Sequence, residues 1–268
     1  MDHKRFVDTL GLLFAGVFLQ IFTLNIFDIA GVPSGRIITI AGFVFLFIAL
    51  YRLRGEESKF NVVFVLSIIV FAGILALTVL EVCGFNDLAK VSQDSLDAIT
   101  SEYFSRYLIY IIVGIVIGAI QLFFFLKLIQ ATIELGRYKK IPKIIVELGR
   151  KRHKTMLVCG IIGVAGNLLG ISTMQATRRL VEYYQKTGHA DIGAINTITL
   201  NSFLVLAAVI VYIVGLIMML VYLKRFKDSF SLVPAKPEGE PQESPSQDII
   251  DNDATIVKDD KPWDDEIK

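Results

Sequence analysis

The sequence predicts an all-α protein: a polytopic membrane bundle of six transmembrane helices with cytoplasmic N- and C-termini and a disordered acidic tail. Three observations lead to this prediction. Hydrophobic residues make up 54% of the 268 residues and the mean hydropathy is +0.60, which is too apolar for a soluble domain. The apolar residues fall into six runs. Lys and Arg concentrate in alternate segments between those runs, as in multi-pass membrane proteins.

The length of each run decides whether it can cross a membrane. A helix rises about 1.5 Å per residue and the hydrocarbon core is about 30 Å thick, so a span needs about 20 residues. Five runs reach this length, and we expect spans at residues 7–28, 61–83, 107–130, 155–176 and 199–223. The first run lacks a small-residue cleavage site, so we expect a retained helix rather than a signal peptide.

The sixth run, residues 37–51, is shorter than a full span. Arg36 and Arg52 flank it, and a helix that starts at Ser34 would extend it to a span at residues 35–53. Six spans with cytoplasmic termini place 17 Lys and Arg inside and 6 outside, the bias of the positive-inside rule. The sequence therefore predicts that this run spans, and that the protein is a multi-pass protein of the plasma (inner) membrane.

Two segments outside the spans are also expected to be helical. Leu96, Ile99 and Tyr103 share one helical face, which predicts a short helix leading into the fourth span. Residues 178–186 are expected to continue the fifth helix. Gly188 can then end that helix in the left-handed conformation.

The segment between the fourth and fifth spans is strongly basic. Gly136 is expected to end the fourth helix, and an amphipathic helix at residues 141–152 is expected to lie on the cytoplasmic membrane surface, loosened at Gly149 before the fifth span. The lipid bilayer is the predicted partner of this loop, and nucleic acid is not expected, because topology alone calls for positive charge here. The basic residues of the loop are Lys139, Lys140, Lys143, Arg150, Lys151, Arg152 and Lys154.

The tail, residues 228–268, has the composition of a disordered segment. It carries 12 Asp and Glu against 4 Lys and Arg, and it holds five of the seven prolines. Trp263, with Ile249 and Ile250, is a candidate docking motif for a membrane or cytoplasmic protein. The alternative is a solvated tail whose few apolar residues have no role.

Three amides fall deep inside predicted spans: Gln20, Gln121 and Asn167. One hypothesis is that each makes a hydrogen bond to a neighbouring helix, and this is the commoner use of amides in membranes. The other hypothesis is a midplane polar site for a solute. The second requires that the three side chains converge on one cavity.

Glycines recur at short spacing in the fourth and fifth spans. Such stripes of small residues allow helix backbones to approach closely, and they predict a tight hairpin of these two helices. Self-association through the same stripe is the alternative. The glycines concerned are Gly114, Gly118, Gly163, Gly166 and Gly170.

The sequence contains none of the motifs that usually carry catalysis. It has no metal-binding spacing, no phosphate-binding loop and no nucleophile elbow, so we expect no cofactor and no enzymatic activity. Cys83 and Cys159 fall near opposite ends of their spans and are not expected to pair. The favoured hypothesis is a non-enzymatic assembly, anchoring or regulatory membrane component. The alternative is a small-solute transporter or channel.

Overall fold

The computed structural model describes residues 2–22, 34–86 and 96–231, and this part of the chain is helical apart from short turns. All of its helices belong to one compact unit, Met1–Val233. The remaining unit, Pro234–Lys268, lies outside the described residues. The six helices are α1 (His3–Phe22), α2 (Ser34–Leu53), α3 (Lys59–Asn86), α4 (Leu96–Tyr138), α5 (Lys143–Thr187) and α6 (Ile192–Ser231).

Each helix packs against the next one along the chain, and α6 packs back against α1. The six helices therefore form a closed ring in sequence order. The contact between α5 and α6 is the most extensive, followed by the contact between α1 and α2. α2 begins at Ser34, as the sequence predicts.

Four segments meet at one end of this ring, which we call the closed end: residues 3–6, 54–58, 139–142 and 226–230. The Phe6 and Phe230 rings lie 4.9 Å apart, and Lys139 Nζ donates to Glu56 Oε2 over 2.8 Å. These are the segments that the distribution of Lys and Arg assigns to one side of the membrane. The opposite end, which carries the turn at residues 188–191 and the first part of α4 around Phe104, we call the open end.

The hydrophobic core lies towards the closed end. Its large, fully buried side chains come from the second half of α2, the start of α3 and the second halves of α4 and α6. Tyr222 adds a buried hydrogen bond to Thr132, with 3.1 Å between the two hydroxyl oxygens. The largest members include Leu46, Leu50, Leu53, Phe60, Phe124, Phe125, Leu128, Tyr222 and Phe226.

The outer surface of the bundle is apolar. On α3 alone, Val62, Val65, Ile68, Ile69 and Val79 are exposed, an arrangement that water does not tolerate but hydrocarbon does. Within the described residues, four helices are long and apolar enough to cross a membrane: Lys59–Leu80, Phe104–Tyr138, Lys143–Thr187 and Ile192–Phe230. The chain therefore has the character of a membrane protein.

Two expected short helices are parts of longer ones. α4 runs without interruption from Leu96 through the fourth span, so the predicted short helix is its first part. α5 likewise runs from Lys143 to Thr187, so the predicted surface helix at residues 141–152 is not separate from the fifth span. Gly149 does not loosen it, because this glycine is buried where the Tyr222 hydroxyl lies 2.7 Å from the position of an added Cβ.

Gly136 does not end α4, contrary to the sequence prediction. It lies inside the helix, and an added Cβ would be 2.7 Å from Ile141. The glycine is therefore needed for packing, and Lys140 takes the left-handed conformation instead, with φ 55°.

At the open end the prediction for Gly188 is confirmed. Its φ is 71° and its N–H donates to the carbonyl of Tyr184, which ends α5. Asp191 Oδ1 accepts the backbone N–H groups of Gly193 and Ala194 and so caps α6.

Candidate functional site

A cavity of about 750 Å³ lies among α3, α4, α5 and α6 at the open end. Two glycines leave open space in its wall: a Cβ added to Gly114 would meet nothing within 4 Å, and one added to Gly170 would be 3.9 Å from Ile111. We call this space the large cavity. Its wall is mostly apolar, and its polar members are Tyr107, Tyr110, Asn167, Thr173, Thr177 and Ser202.

A small cavity of about 150 Å³ extends the large cavity towards the closed end. Asn167 and Val209 line both spaces, so the two cavities meet at these side chains. The volume corresponds to about five water molecules, enough for the polar group of a small organic molecule. The other lining residues are Gly118, Gln121, Gly160, Gly163, Val164 and Tyr212.

Three polar side chains face the small cavity from three helices: Gln121 from α4, Asn167 from α5 and Tyr212 from α6. Within the described part of the chain, none of the three makes a side-chain hydrogen bond. The Asn167 amide nitrogen lies 3.6 Å from the position of a Cβ on Gly118, so the amide packs beside this glycine of α4. An amide surrounded by hydrocarbon strongly favours a hydrogen-bonding partner. The small cavity therefore presents two amides and a phenol to any molecule that enters it.

Gln20 does not share this site. It is 1% exposed and belongs to the crossing of α1 and α2, where a Cβ added to Gly42 would lie 3.3 Å from the Gln20 backbone nitrogen. Two of the three predicted midplane amides are thus brought together, and the third lies in a separate helix contact.

Only part of the predicted glycine stripe lies between α4 and α5. Gly118 of α4 faces Asn167, and Gly170 of α5 faces Ile111. α4 also approaches α5 at Gly160, where Leu122 occupies the space of a side chain. Gly163 lies against Tyr212 and Gly166 against Ala208, so both face α6. The reason is the extensive α5–α6 contact, which takes up the small residues on that face of α5.

The small cavity is sealed on the side of the closed end. Met156, Leu216 and Met219 are 0%, 1% and 0% exposed, and the buried free thiol of Cys159 packs against Gly215. Below this seal, Arg152 donates to the Met218 sulfur over 3.2 Å while its Nε is buried without a hydrogen bond. The described lining of the large cavity extends in the other direction, to Phe104 and Thr177 near the open end.

The described side chains that line the two cavities are uncharged. Among the described residues, neither cavity lining contains Asp, Glu, Lys, Arg or His. In the described ranges, no three His, Cys, Asp or Glu side chains are close enough to hold a metal ion. The walls offer hydroxyls, amides and apolar surface, and these can bind an uncharged molecule that has both polar and apolar parts.

The basic loop is divided by the structure into different environments. Lys139 pairs with Glu56. Lys140, Lys143 and Arg150 line a separate pocket at the closed end. Lys151 and Lys154 are exposed outside that pocket. Trp263, Ile249 and Ile250 lie outside the described residues.

No protein-family model, curated protein or solved structure matches the chain. The functional proposal therefore rests on the geometry of the two cavities.

Sequence reasoning missed Tyr212 and the hydroxyls of the large cavity. The sequence does mark Tyr212, because it is the only polar side chain in the apolar stretch VIVYIVG and lies at the depth predicted for Asn167. The hydroxyls carry no such signal, because Ser and Thr commonly bond to their own helix, as Thr173 does to the Leu169 carbonyl over 3.0 Å.

Proposed function

We propose that the chain is a six-span protein of a plasma (inner) membrane whose closed end faces the cytoplasm. α1 and α2 have 20 residues each, which is enough for a hydrocarbon core of about 30 Å. The segments that this topology places in the cytoplasm hold 17 Lys and Arg, against 6 elsewhere in residues 1–227, the bias expected of a cytoplasmic face. In this arrangement the large cavity opens away from the cytoplasm.

We propose further that the protein binds and transports a small uncharged amphipathic solute. The observation that carries this proposal is Asn167, which lies where the two cavities meet and has no hydrogen bond in the described part of the chain. In our account the solute's polar group bonds to Asn167, Gln121 and Tyr212, while its apolar part lies in the large cavity. The described residues of both linings carry no charged group, which favours a neutral solute.

Transport in this account needs alternating access. The seal formed by Met156, Leu216 and Met219 closes the path to the cytoplasm, so it must part while the open end narrows. A neutral amide binds a solute but does not relay protons, so this site gives no proton coupling. The described residues of the linings include no base beside a hydroxyl nucleophile, so we propose binding rather than catalysis.

Photolabelling tests the binding step. The purified protein in nanodiscs is labelled with a medium-chain alcohol that carries a diazirine, and the modified residues are mapped by mass spectrometry. We expect labelling at residues of the large cavity, reduced about fivefold in Asn167→Leu, because one hydrogen bond contributes about 1 kcal/mol. Asn196→Leu, an exposed asparagine outside both cavities, is the matched control. Labelling confined to lipid-facing side chains in every variant contradicts the proposal.

A thiol-reactivity measurement tests the transport step. A cysteine at Leu216 should react slowly with a polar reagent, and the same alcohol should raise that rate if a bound solute opens the seal. If the reaction rate is unchanged at saturating alcohol, the protein binds the solute but does not transport it, and the transport proposal is rejected.

An assembly or anchoring role through the tail is also a proposal, from the sequence alone. Its candidate residues, Trp263, Ile249 and Ile250, are set among acids in a proline-rich segment. It predicts a protein partner that copurifies in mild detergent and is lost when residues 245–268 are deleted. An unchanged set of copurified proteins after the deletion counts against it.

A further inference from the structure

A third pocket lies at the closed end, between the last turn of α4 and the first two turns of α5, with a volume of about 600 Å³. Unlike the two cavities, it is strongly charged. Four cations line it, Arg137, Lys140, Lys143 and Arg150, against one carboxylate, Glu147. We call it the basic pocket.

The cations of this pocket are largely unpaired. Among the described residues, Lys140, Lys143 and Arg150 have no carboxylate within 4.0 Å, and Arg137 has a 3.4 Å contact with Glu134. Two nearby carboxylates pair with cations outside the pocket, since Glu134 lies 3.1 Å from Lys59 and Glu56 pairs with Lys139. The basic pocket therefore keeps an excess of positive charge that no described side chain neutralises.

The backbone adds to this positive field. α5 begins after Pro142 with no side-chain cap and no acidic residue in its first turn, so no carboxylate there offsets the positive end of its dipole, which favours an anion. Lys140 adopts φ 55°, a conformation that favours Gly or Asn over a lysine. The turn thus sets a cation beside a helix start at some conformational cost.

The surroundings of the pocket identify the anion. Tyr138 and Ile144 flank it along the chain and are 69% and 72% exposed, and the apolar stretch Phe104–Tyr138 ends at its edge. A free anion or an acidic peptide would use the cations but leave these apolar groups uncovered. We propose that the basic pocket binds the phosphate of one anionic phospholipid, whose acyl chains cover the neighbouring apolar side chains.

Native mass spectrometry in mild detergent tests this site, with phosphatidylglycerol and phosphatidylcholine as the probes. We expect one phosphatidylglycerol to bind preferentially, and Lys143→Ala/Arg150→Ala to weaken that binding about thirtyfold, at about 1 kcal/mol per basic residue. Lys151→Ala/Lys154→Ala removes the same charge outside the pocket and serves as the matched control, with an expected change below about twofold. All four residues are half-buried or exposed, so the variants should fold. An equal loss in both variants would mean diffuse surface charge and overturn the proposal.

Two further arms identify the occupant. Millimolar inorganic phosphate should leave the bound phosphatidylglycerol in place, and displacement would assign the pocket to free phosphate instead. Deleting residues 232–268 should not change the affinity. If the deletion raises the affinity for phosphatidylglycerol by as large a factor as Lys143→Ala/Arg150→Ala lowers it, the pocket belongs to the acidic tail and the lipid assignment is overturned.

Discussion

Tyr222 at the closed end and Tyr212 near the small cavity lie on the same helix, ten residues apart, in opposite environments. Tyr222 is 0% exposed and shares a hydrogen bond with Thr132, whereas Tyr212 faces a cavity and has no hydrogen bond in the described chain. Leu128 and Leu206 differ in the same way, at 0% and 57% exposed. The hydrophobic effect does not drive helices together in lipid, so packing and hydrogen bonding must hold the bundle. The closed end satisfies both requirements. Around the small cavity, Gln121, Asn167 and Tyr212 make no side-chain hydrogen bond in the described part of the chain.

The largest expected difference in stability comes from a Leu→Ala substitution made once at each end. Leu128→Ala removes a fully buried side chain and should lower the free energy of unfolding by about 2–5 kcal/mol. Leu206→Ala shortens a side chain that borders the large cavity, so we expect a change within about 0.5 kcal/mol. Unfolding in mixed micelles measures both. Equal losses would contradict the division into two ends.

The second contrast concerns two glycines of α1. A Cβ on Gly16 would lie 2.8 Å from the Leu46 backbone nitrogen and 2.9 Å from the Gly42 carbonyl oxygen, whereas one on Gly11 would meet nothing within 4 Å. Gly16→Ala should therefore destabilise the bundle by about 1–3 kcal/mol, since backbone must move. Gly11→Ala should stabilise it by up to about 1 kcal/mol. Thermal unfolding of the two variants should separate them in opposite directions.

The third contrast removes one hydroxyl from each tyrosine. The Thr132 hydroxyl donates to the Ile129 carbonyl, so the Tyr222 hydroxyl is the donor in their shared bond. Tyr222→Phe should cost about 1 kcal/mol of stability. Tyr212→Phe should leave stability unchanged and reduce photolabelling by the alcohol. A Tyr212→Phe variant that is less stable but binds normally would show that Tyr212 is structural.

The smallest effect is a pH dependence at the closed end. Burial alone would raise the pKa of the Glu56 carboxyl, but the hydrogen bond from Lys139 and nearby positive charge outweigh it and hold the pKa below 4.5. A lowered pKa in the folded state stabilises the protein above pH 4.5, and this stabilisation is lost as the pH falls through the folded-state pKa. The pair should contribute about 1 kcal/mol or less.

Glu56→Gln checks that assignment. It should lower stability at neutral pH and flatten the decline in melting temperature on acidification. Glu182→Gln breaks the more exposed pair with Arg178 and should change stability at neutral pH by only a few tenths of a kcal/mol. A wild-type decline that persists in Glu56→Gln would assign the acid sensitivity to other groups.

The sequence predicted the helical architecture well because its signals are local. The apolar runs indicate the helices, and Gly188 ends α5 as predicted. The sequence did not predict the crossing of α1 and α2 at Gly16 and Gly42. Each glycine is the only one at its depth in its own helix, and the sequence does not show that the two come into contact.

The candidate site was predicted in part for the same reason. Gln121 and Asn167 stand out as amides in apolar runs, but which amides meet depends on helix rotation. Gln20 lies elsewhere because α1 packs mainly against α2 and α6 rather than against α4 or α5. Helix rotation turned Gly163 and Gly166 towards α6 and brought in Tyr212. It is set by side-chain packing between helices, which a single sequence does not display.

Cysteine accessibility tests the central claim most directly, that the open end admits polar molecules to the midplane amides while the closed end is sealed. Cys83 and Cys159 are replaced by serine, and single cysteines are placed at Ser202, Asn167 and Leu216 in proteoliposomes, with His189 as an exposed reference. A membrane-impermeant methanethiosulfonate applied to the open end should modify the cysteines at Ser202 and Asn167 at rates close to the reference and leave the one at Leu216 unmodified. A cysteine at Asn167 as unreactive as the one at Leu216 would contradict the account.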